Sequence, residues 1–330
     1  MFSPPKAALY AIVAICISSL SGAVIAASES SFDCRQLADD TKLASPLDWL
    51  ERSMMASQCY VFRAQAIRIS PGGVRTLALA HEIHDGVIRE VTHYLDGPAV
   101  IYERYGRLGR NGILMRRSAN DSPATALQKI DHHYRLTLGD EERVAGRPSM
   151  RLDIEPRDKL RYGHRLWLDL ATGLPLKQNL VDVEGQVLET FQMTELIEPT
   201  LYSQLVPLEP LPDISSGPWQ PSWLPAGYVS IPLPPAAGFS GKTMSHRLYS
   251  DGLSSFSLFV QPIENKHEAL MPGIHRLGIS YAAVRHLRLD DDRILQVVVL
   301  GELPPKVLYR IASRMEFHGS AERAQQELAP

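Results

Sequence analysis

Residues 134–196 read YRLTLGDEERVAGRPSMRLDIEPRDKLRYGHRLWLDLATGLPLKQNLVDVEGQVLETFQMTEL. Five stretches within it alternate apolar and polar side chains with the period of two that a strand imposes: Tyr134–Val144, Ser149–Glu155, Tyr162–Leu170, Leu174–Val183 and Val187–Leu196. Ala171-Thr172-Gly173 and Glu184-Gly185 are turn sequences between them. Links this short join antiparallel neighbours, because a parallel pair needs a crossover of a dozen residues or more. In the last stretch Val187, Phe191 and Met193 share one face while Thr190, Gln192 and Thr194 share the other. The segment therefore predicts an antiparallel meander that buries one side.

Upstream the same period continues. Val74–His84, Val87–Leu95, Ala99–Tyr105 and Gly112–Ser118 read as further strands, with Pro71-Gly72-Gly73 and Asp85-Gly86 as turns. Phe62, Ala64 and Ala66 alternate with Arg63 and Gln65. Ile67 and Ile69 fall on the opposite phase, which predicts a bulge or bend near Ala66. Two helices interrupt the strands. Ser45 and Pro46 have the chemistry of an N-cap and first helical residue, and Leu47, Leu50 and Met54 recur at helical spacing over 46–57. Ser122-Pro123 opens a second helix through Leu127 and Ile130. Two helices are too few for an α/β layer but enough to cover one side of a curved sheet. The fold class is thus α+β and mostly β, with residues 32–200 a large antiparallel half-open barrel packed on helices.

Ten of the 24 prolines lie between Pro199 and Pro235, where neither a helix nor a central strand runs far. Residues 201–218 are read as a Pro-rich linker. Beyond it Phe256, Leu258 and Val260 alternate with serines, and Ile294–Leu300 is almost continuously apolar. Val307, Leu308, Ile311, Ala312 and Met315 form one stripe of a helix after Pro304-Pro305. Residues 219–318 predict a small α+β domain, followed by a polar, disordered tail over 319–330.

Residues 1–27 have the pattern of a Sec-type export signal: Lys6, an apolar run from Ala7 to Leu20, then small residues before Ala27 or Ser28. That predicts an exported mature chain with a net charge of about −4, which gives no electrostatic reason to bind nucleic acid. Two of the 3 cysteines, Cys34 and Cys59, outlast processing. They flank the first helix and form either one disulfide or two unpaired thiols.

No pattern for chemistry emerges. His81 and His84 are three apart in a strand, so they point to opposite faces, and a zinc-protease pair needs a helical spacing of four. His132-His133 read as solvated residues at a helix end, and Asp290-Asp291-Asp292 as a solvated turn without the calcium-loop pattern. Gly106, Gly109 and Gly112 match no phosphate loop. With Arg104, Arg107, Arg110, Arg116 and Arg117 around them they read as a flexible basic hairpin tip, or as a loop that contacts an anion or lipid headgroup. No nucleophile elbow is present. The expectation is no catalysis, no cofactor and no metal.

One set of motifs is denser than the rest: Val144-Ala145-Gly146-Arg147, Arg151-Leu152, Pro156-Arg157-Asp158, Arg161-Tyr162-Gly163, Leu166-Trp167-Leu168-Asp169 and Thr172-Gly173-Leu174-Pro175. Trp49-Leu50-Glu51-Arg52, Trp219 to Tyr228, Tyr249-Ser250-Asp251-Gly252-Leu253 and Gly301-Glu302-Leu303-Pro304 complete it. This set resembles the RseB/MucB family of periplasmic sigma-E regulators across essentially the whole mature chain. The resemblance implies a large domain similar to the lipoprotein carriers LolA and LolB, plus a smaller one. It also implies binding to the periplasmic domain of an inner-membrane anti-sigma factor of the RseA/MucA type, which shields that domain from its site-1 protease. Release by lipopolysaccharide or another lipid is implied as well. A periplasmic lipid or lipoprotein carrier is the alternative reading, and homo-oligomerisation stays open.

Overall fold

A computed structural model describes residues 31–38, 43–109, 123–207, 219–231, 244–264, 269–289 and 293–317. The signal segment, the strand expected at Gly112–Ser118, Arg110, Arg116, Arg117, Asp290–Asp292, most of the linker and the polar tail lie outside them.

Helix α1 (Pro46–Cys59) starts where the capping chemistry put it. Ser45 Oγ accepts from the Asp48 N–H at 3.2 Å, and Asp48 Oδ2 accepts from the Ser45 N–H at 2.8 Å. A short strand β1 (Ser31–Asp33) precedes it. Strands β2 (Tyr60–Ser70), β3 (Gly73–His84), β4 (Val87–Tyr94) and β5 (Ile101–Arg107) follow it, then helix α2 (Pro123–His133). The quoted meander becomes β6 (Tyr134–Val144), β7 (Arg147–Pro156), β8 (Gly163–Asp169), β9 (Pro175–Val181) and β10 (Val187–Leu201).

These nine long strands make one antiparallel sheet in the order β5-β4-β3-β2-β10-β9-β8-β7-β6. The seam is β2 against β10, which joins the two meanders. Among the described residues the sheet is open, with β5 and β6 as its edges, and no closed barrel forms. Inside the stretch read as linker, β11 (Leu205–Pro207) pairs with β1. Cys34 and Cys59 are joined as a disulfide with Cα atoms 5.5 Å apart, tying β1 to the end of α1.

Helix α1 packs on the sheet along two flanks. Trp49 and Leu50 join Leu127, Ile130, Leu152, Ile154 and Leu168, whereas Met55, Ala56 and Cys59 meet Ile83, Ile88 and Leu108. The bulge expected in β2 near Ala66 is on its partner. Pairing of β2 with β3 is regular, and the slip lies between Met193 and Glu195 of β10, opposite Ala66 and Gln65. The phase change in β2 has a plainer cause: Ala64 and Ala66 face the core, and Ile69 faces solvent.

The second unit comprises β12 (Trp219–Pro221), β13 (Val229–Ile231), β14 (Ser245–Ser250), β15 (Ser255–Pro262), β16 (Gly273–Leu277), β17 (Ser280–Arg288), β18 (Ile294–Gly301), α3 (Pro305–Ser313) and β19 (Met315–Phe317). Its six-stranded antiparallel sheet runs β13-β14-β15-β18-β17-β16, and β12 pairs with β19 beside it. Val307, Leu308, Ile311 and Ala312 of α3 pack on Phe256, Leu258, Val260, Val297 and Val299. Met315, assigned to the helical stripe from sequence, instead opens β19, because α3 ends at Ser313.

The two units touch through three separate apolar contacts. Leu160 packs into the second core, Leu253 packs into the first, and Tyr162 and Leu180 meet Ile279. No helix among the described residues is long and apolar enough to cross a membrane.

Candidate functional site

A cavity of about 280 Å³ lies between α1 and the sheet. Leu50 and Met54 of α1, Ile154, Leu166 and Leu253 supply its apolar wall. Ser53, Ser57 and Gln58 of α1, Glu90 of β4, Arg104 of β5, His164 of β8 and Gln178 of β9 supply the polar part. Gly252 and Leu253 come from the turn between β14 and β15, so the second unit forms part of the wall.

The cavity's titratable groups hold little free charge. Burial pushes the His164 imidazole down to about 4, with Asp251 opposing the shift only in part, so at neutral pH the ring is uncharged. Its Nε2 is buried without a hydrogen-bond partner, and its Nδ1 is 3.4 Å from Gln178 Nε2. Arg104 Nε donates to Glu90 Oε2 at 2.6 Å, which neutralises the rim pair. Behind Glu90, His81 stacks on Phe62 and donates through Nδ1 to the Tyr60 carbonyl at 2.6 Å. Burial holds His81 below its ordinary pKa, although Glu90 opposes this, and its Nε2 is 3.9 Å from Glu90 Oε1. The cavity thus has an apolar side from Leu50, Met54, Ile154, Leu166 and Leu253, and an ion-paired polar rim at Arg104 and Glu90.

The residues singled out from sequence are distributed unevenly around this cavity. Arg104 stands at its rim, and Arg107 closes β5. The tip read as flexible is anchored where it is described: Leu108 is buried, and the Gly109 N–H donates to Gln58 Oε1 at 2.9 Å. His81 faces inward and His84 faces solvent, as alternation requires. His133 is not a solvated helix end. It packs against Gly227 of the second unit, while His132 is exposed. Among the described residues no group of three His, Cys, Asp or Glu side chains is placed to hold a metal.

Sequence reasoning missed Glu90, His164, Gln178 and the α1 polar residues as cavity groups. The available signal was His164 and Gln178 placed cross-strand from apolar neighbours in a sheet otherwise read as core. It also took Arg161 and Asp251 only as parts of motif strings. The structure brings them together from opposite units. Arg161 Nη1 donates to Asp251 Oδ2 at 2.6 Å, with both side chains fully buried. Tyr134 Oη donates to the same oxygen at 2.8 Å, and Arg161 Nη2 donates to Asp158 Oδ2 at 3.0 Å and to the Ala226 carbonyl at 2.6 Å. The guanidinium carbon lies 5.5 Å from the Tyr134 ring centroid and 5.3 Å from that of Tyr228. Burial works against the Arg161 charge, but Asp158 and Asp251 more than offset it. Burial, helped by the Asp251 charge, raises the Tyr134 hydroxyl far above its ordinary range. Asp251 Oδ1 accepts the N–H groups of Leu253 at 3.0 Å and Ser254 at 2.9 Å, so every lone-pair direction is used.

Comparison with known proteins gives a consistent result. Residues 45–215 match the family model for the MucB/RseB N-terminal domain, and residues 213–316 match that for the MucB/RseB C-terminal domain. The sigma factor AlgU regulatory protein MucB of Pseudomonas aeruginosa is 30% identical over 304 residues, covering 86% of this chain and 94% of that protein. The sigma-E factor regulatory protein RseB of Escherichia coli K12 is 27% identical over 297 residues, covering 83% and 91%. A solved Pseudomonas aeruginosa MucA/MucB complex superposes with a TM-score of 0.62 at 28% identity, covering 84% of this chain and all of that one.

Proposed function

Because the chain belongs to the MucB/RseB family, we propose that it is a periplasmic negative regulator of a sigma-E-type envelope stress response. It binds the periplasmic part of an inner-membrane anti-sigma factor and shields that part from the site-1 protease. Lipopolysaccharide or another acyl lipid enters the cavity under α1 and releases the anti-sigma factor. No bond is made or broken. The observation that carries this reading is the match of both units to the two domains of a family of sigma-factor regulators, over residues 45–316 together.

In this reading residues 1–27 are a Sec-type leader removed on export, residues 32–200 are the lipid-binding domain, curved as a half-open barrel, and residues 219–318 are the domain that grips most of the partner. Residues 201–218 link them, and the Cys34–Cys59 bridge forms in the oxidising periplasm. Arg104 at the cavity rim, with Arg107, Arg110, Arg116 and Arg117 further along the chain, meets lipid headgroup phosphates. Acyl binding draws on burial of apolar surface, about 0.8 kcal/mol per methylene. A lipid releases the partner only by favouring a state that holds the partner less well. A lipid carrier would need the first unit alone, and the cavity wall supplied by Gly252 and Leu253 argues against that.

The test is protease protection. The mature protein should slow site-1 cutting of the anti-sigma periplasmic segment, and lipopolysaccharide should restore it. Failure to retain or protect the segment at any concentration rejects the proposal.

A further inference from the structure

We propose that the turn Asp251–Ser254 of the second unit is the movable end wall of the acyl cavity, and that filling the cavity breaks the buried Arg161–Asp251 contact between the units. The proposal rests on the lipid-release reading above and says how the signal leaves the cavity.

Three features of the turn support it. First, Leu253 has its side chain in the cavity wall and against the cluster containing Trp49 and Leu50. Second, the turn moves as one piece, because Asp251 Oδ1 holds the Leu253 and Ser254 N–H groups at 3.0 and 2.9 Å. Displacing Leu253 therefore displaces Asp251. Third, Asp251 Oδ2 is the shared acceptor of Arg161 and Tyr134 from the first unit. Gly252, with φ of +105°, lets the chain make this turn, a backbone conformation that side chains rarely adopt.

Size makes the wall matter. At about 280 Å³ the cavity lies just below the ~300–1,000 Å³ typical of pockets that enclose a drug-sized ligand. One partial acyl chain fits as the cavity stands, and a lipid with several chains needs a wall to retreat. The sheet and α1 are tied into the main core, whereas Gly252 and Leu253 belong to a separate unit. The ionic contact then makes the movement two-state. A buried pair is stable when closed, and each charge is stable when hydrated, but dry separated charges are strongly disfavoured. The units either stay latched or part far enough to admit water to Arg161.

Amide hydrogen exchange on the full-length mature protein tests this, using lysophosphatidylglycerol with one dodecanoyl chain and, separately, lipid A. At saturating lipid A, the amides of residues 250–256 should exchange about tenfold faster, the signature of local opening. Unchanged or slower exchange there while lipid A is bound overturns the proposal. Leu253→Ala provides a second readout. It should tighten binding of the single-chain probe about fifteen-fold, the worth of two more buried methylenes. The same variant should bind lipid A yet release the anti-sigma segment less than about twofold, against the ~5–150-fold range of ordinary allosteric coupling. Release equal to that of the unmodified protein overturns the coupling. Should Leu253→Ala fail to fold, the exchange experiment on the unmodified protein decides alone. Lipid that displaces the segment without loosening 250–256 refutes this inference only. Lipid that never binds refutes the release reading with it.

Discussion

Replacing Asp251 with Asn isolates the charge at the contact between the units. The Asn carbonyl can still accept the Leu253 and Ser254 N–H groups, so the turn keeps its shape. The change falls on the other atom: an NH2 now faces Arg161 Nη1 and Tyr134 Oη, two donors that sit 2.6 and 2.8 Å from Oδ2 in the native protein. Both side chains of the Arg161–Asp251 pair are fully buried, and removing one partner of such a pair costs about 3–5 kcal/mol. Asp158 and the Ala226 carbonyl still hold the guanidinium, which puts the loss at the low end. About 3 kcal/mol corresponds to a shift of roughly 150-fold in equilibrium. The assay is urea unfolding followed by tryptophan fluorescence, because Trp49 and Trp167 report on the first unit and Trp219 and Trp223 on the second. The expected result is a lower midpoint with the two units unfolding apart. Adding Arg161→Met to Asp251→Asn should cost less than the sum of the two single variants, since it removes the guanidinium that Asp251→Asn leaves without its carboxylate and keeps the Oδ1 acceptor of the turn. A single-variant loss under about 1 kcal/mol, the worth of an exposed pair, would refute the reasoning, as would strict additivity in the double-mutant cycle.

Other perturbations have defined outcomes. Removing the Cys34–Cys59 bridge, which closes 25 residues, should cost about 3.5 kcal/mol by the loop-entropy relation, read as a lower melting temperature of Cys34→Ser with Cys59→Ser. His164 titrates near 4 when folded against an ordinary 6.5, so the unfolded chain takes up a proton that the folded one refuses. Stability should therefore fall as pH drops from about 6.5 to 4, and His164→Gln should flatten that decline in denaturation midpoints. His81, His133 and His246 are also lowered by burial and add to the decline, so the variant removes only a share. Gly227→Ala should cost at least about 2 kcal/mol in the same urea assay, because its φ is +89° and a methyl there collides with the His133 imidazole.

Much of the architecture was legible along the chain because its causes are local. The period of two in 134–196 is a property of extended backbone. The Ser45–Pro46–Asp48 start of α1 depends on groups within three residues of one another, and the turns at Thr172-Gly173 and Glu184-Gly185 depend on fewer still. The candidate site was hardly legible. Arg104 stood out as one basic residue among several, whereas Glu90, His164 and Gln178 resembled ordinary strand polarity. A buried charge is indistinguishable from a surface charge until its partner's position is known, and Arg161 and Asp251 are 90 residues apart.

From sequence alone came the element types, the mostly antiparallel pairing and the motifs that mark the family. Tertiary structure alone decided that β2 meets β10, that the bulge falls on β10, and that Leu253 of one unit walls a cavity in the other. The physical reason is range. Hydrogen-bonding periodicity and capping act over a few residues, whereas strand order, cavity shape and the pairing of buried charges minimise exposed apolar area and unpaired charge over the whole molecule at once.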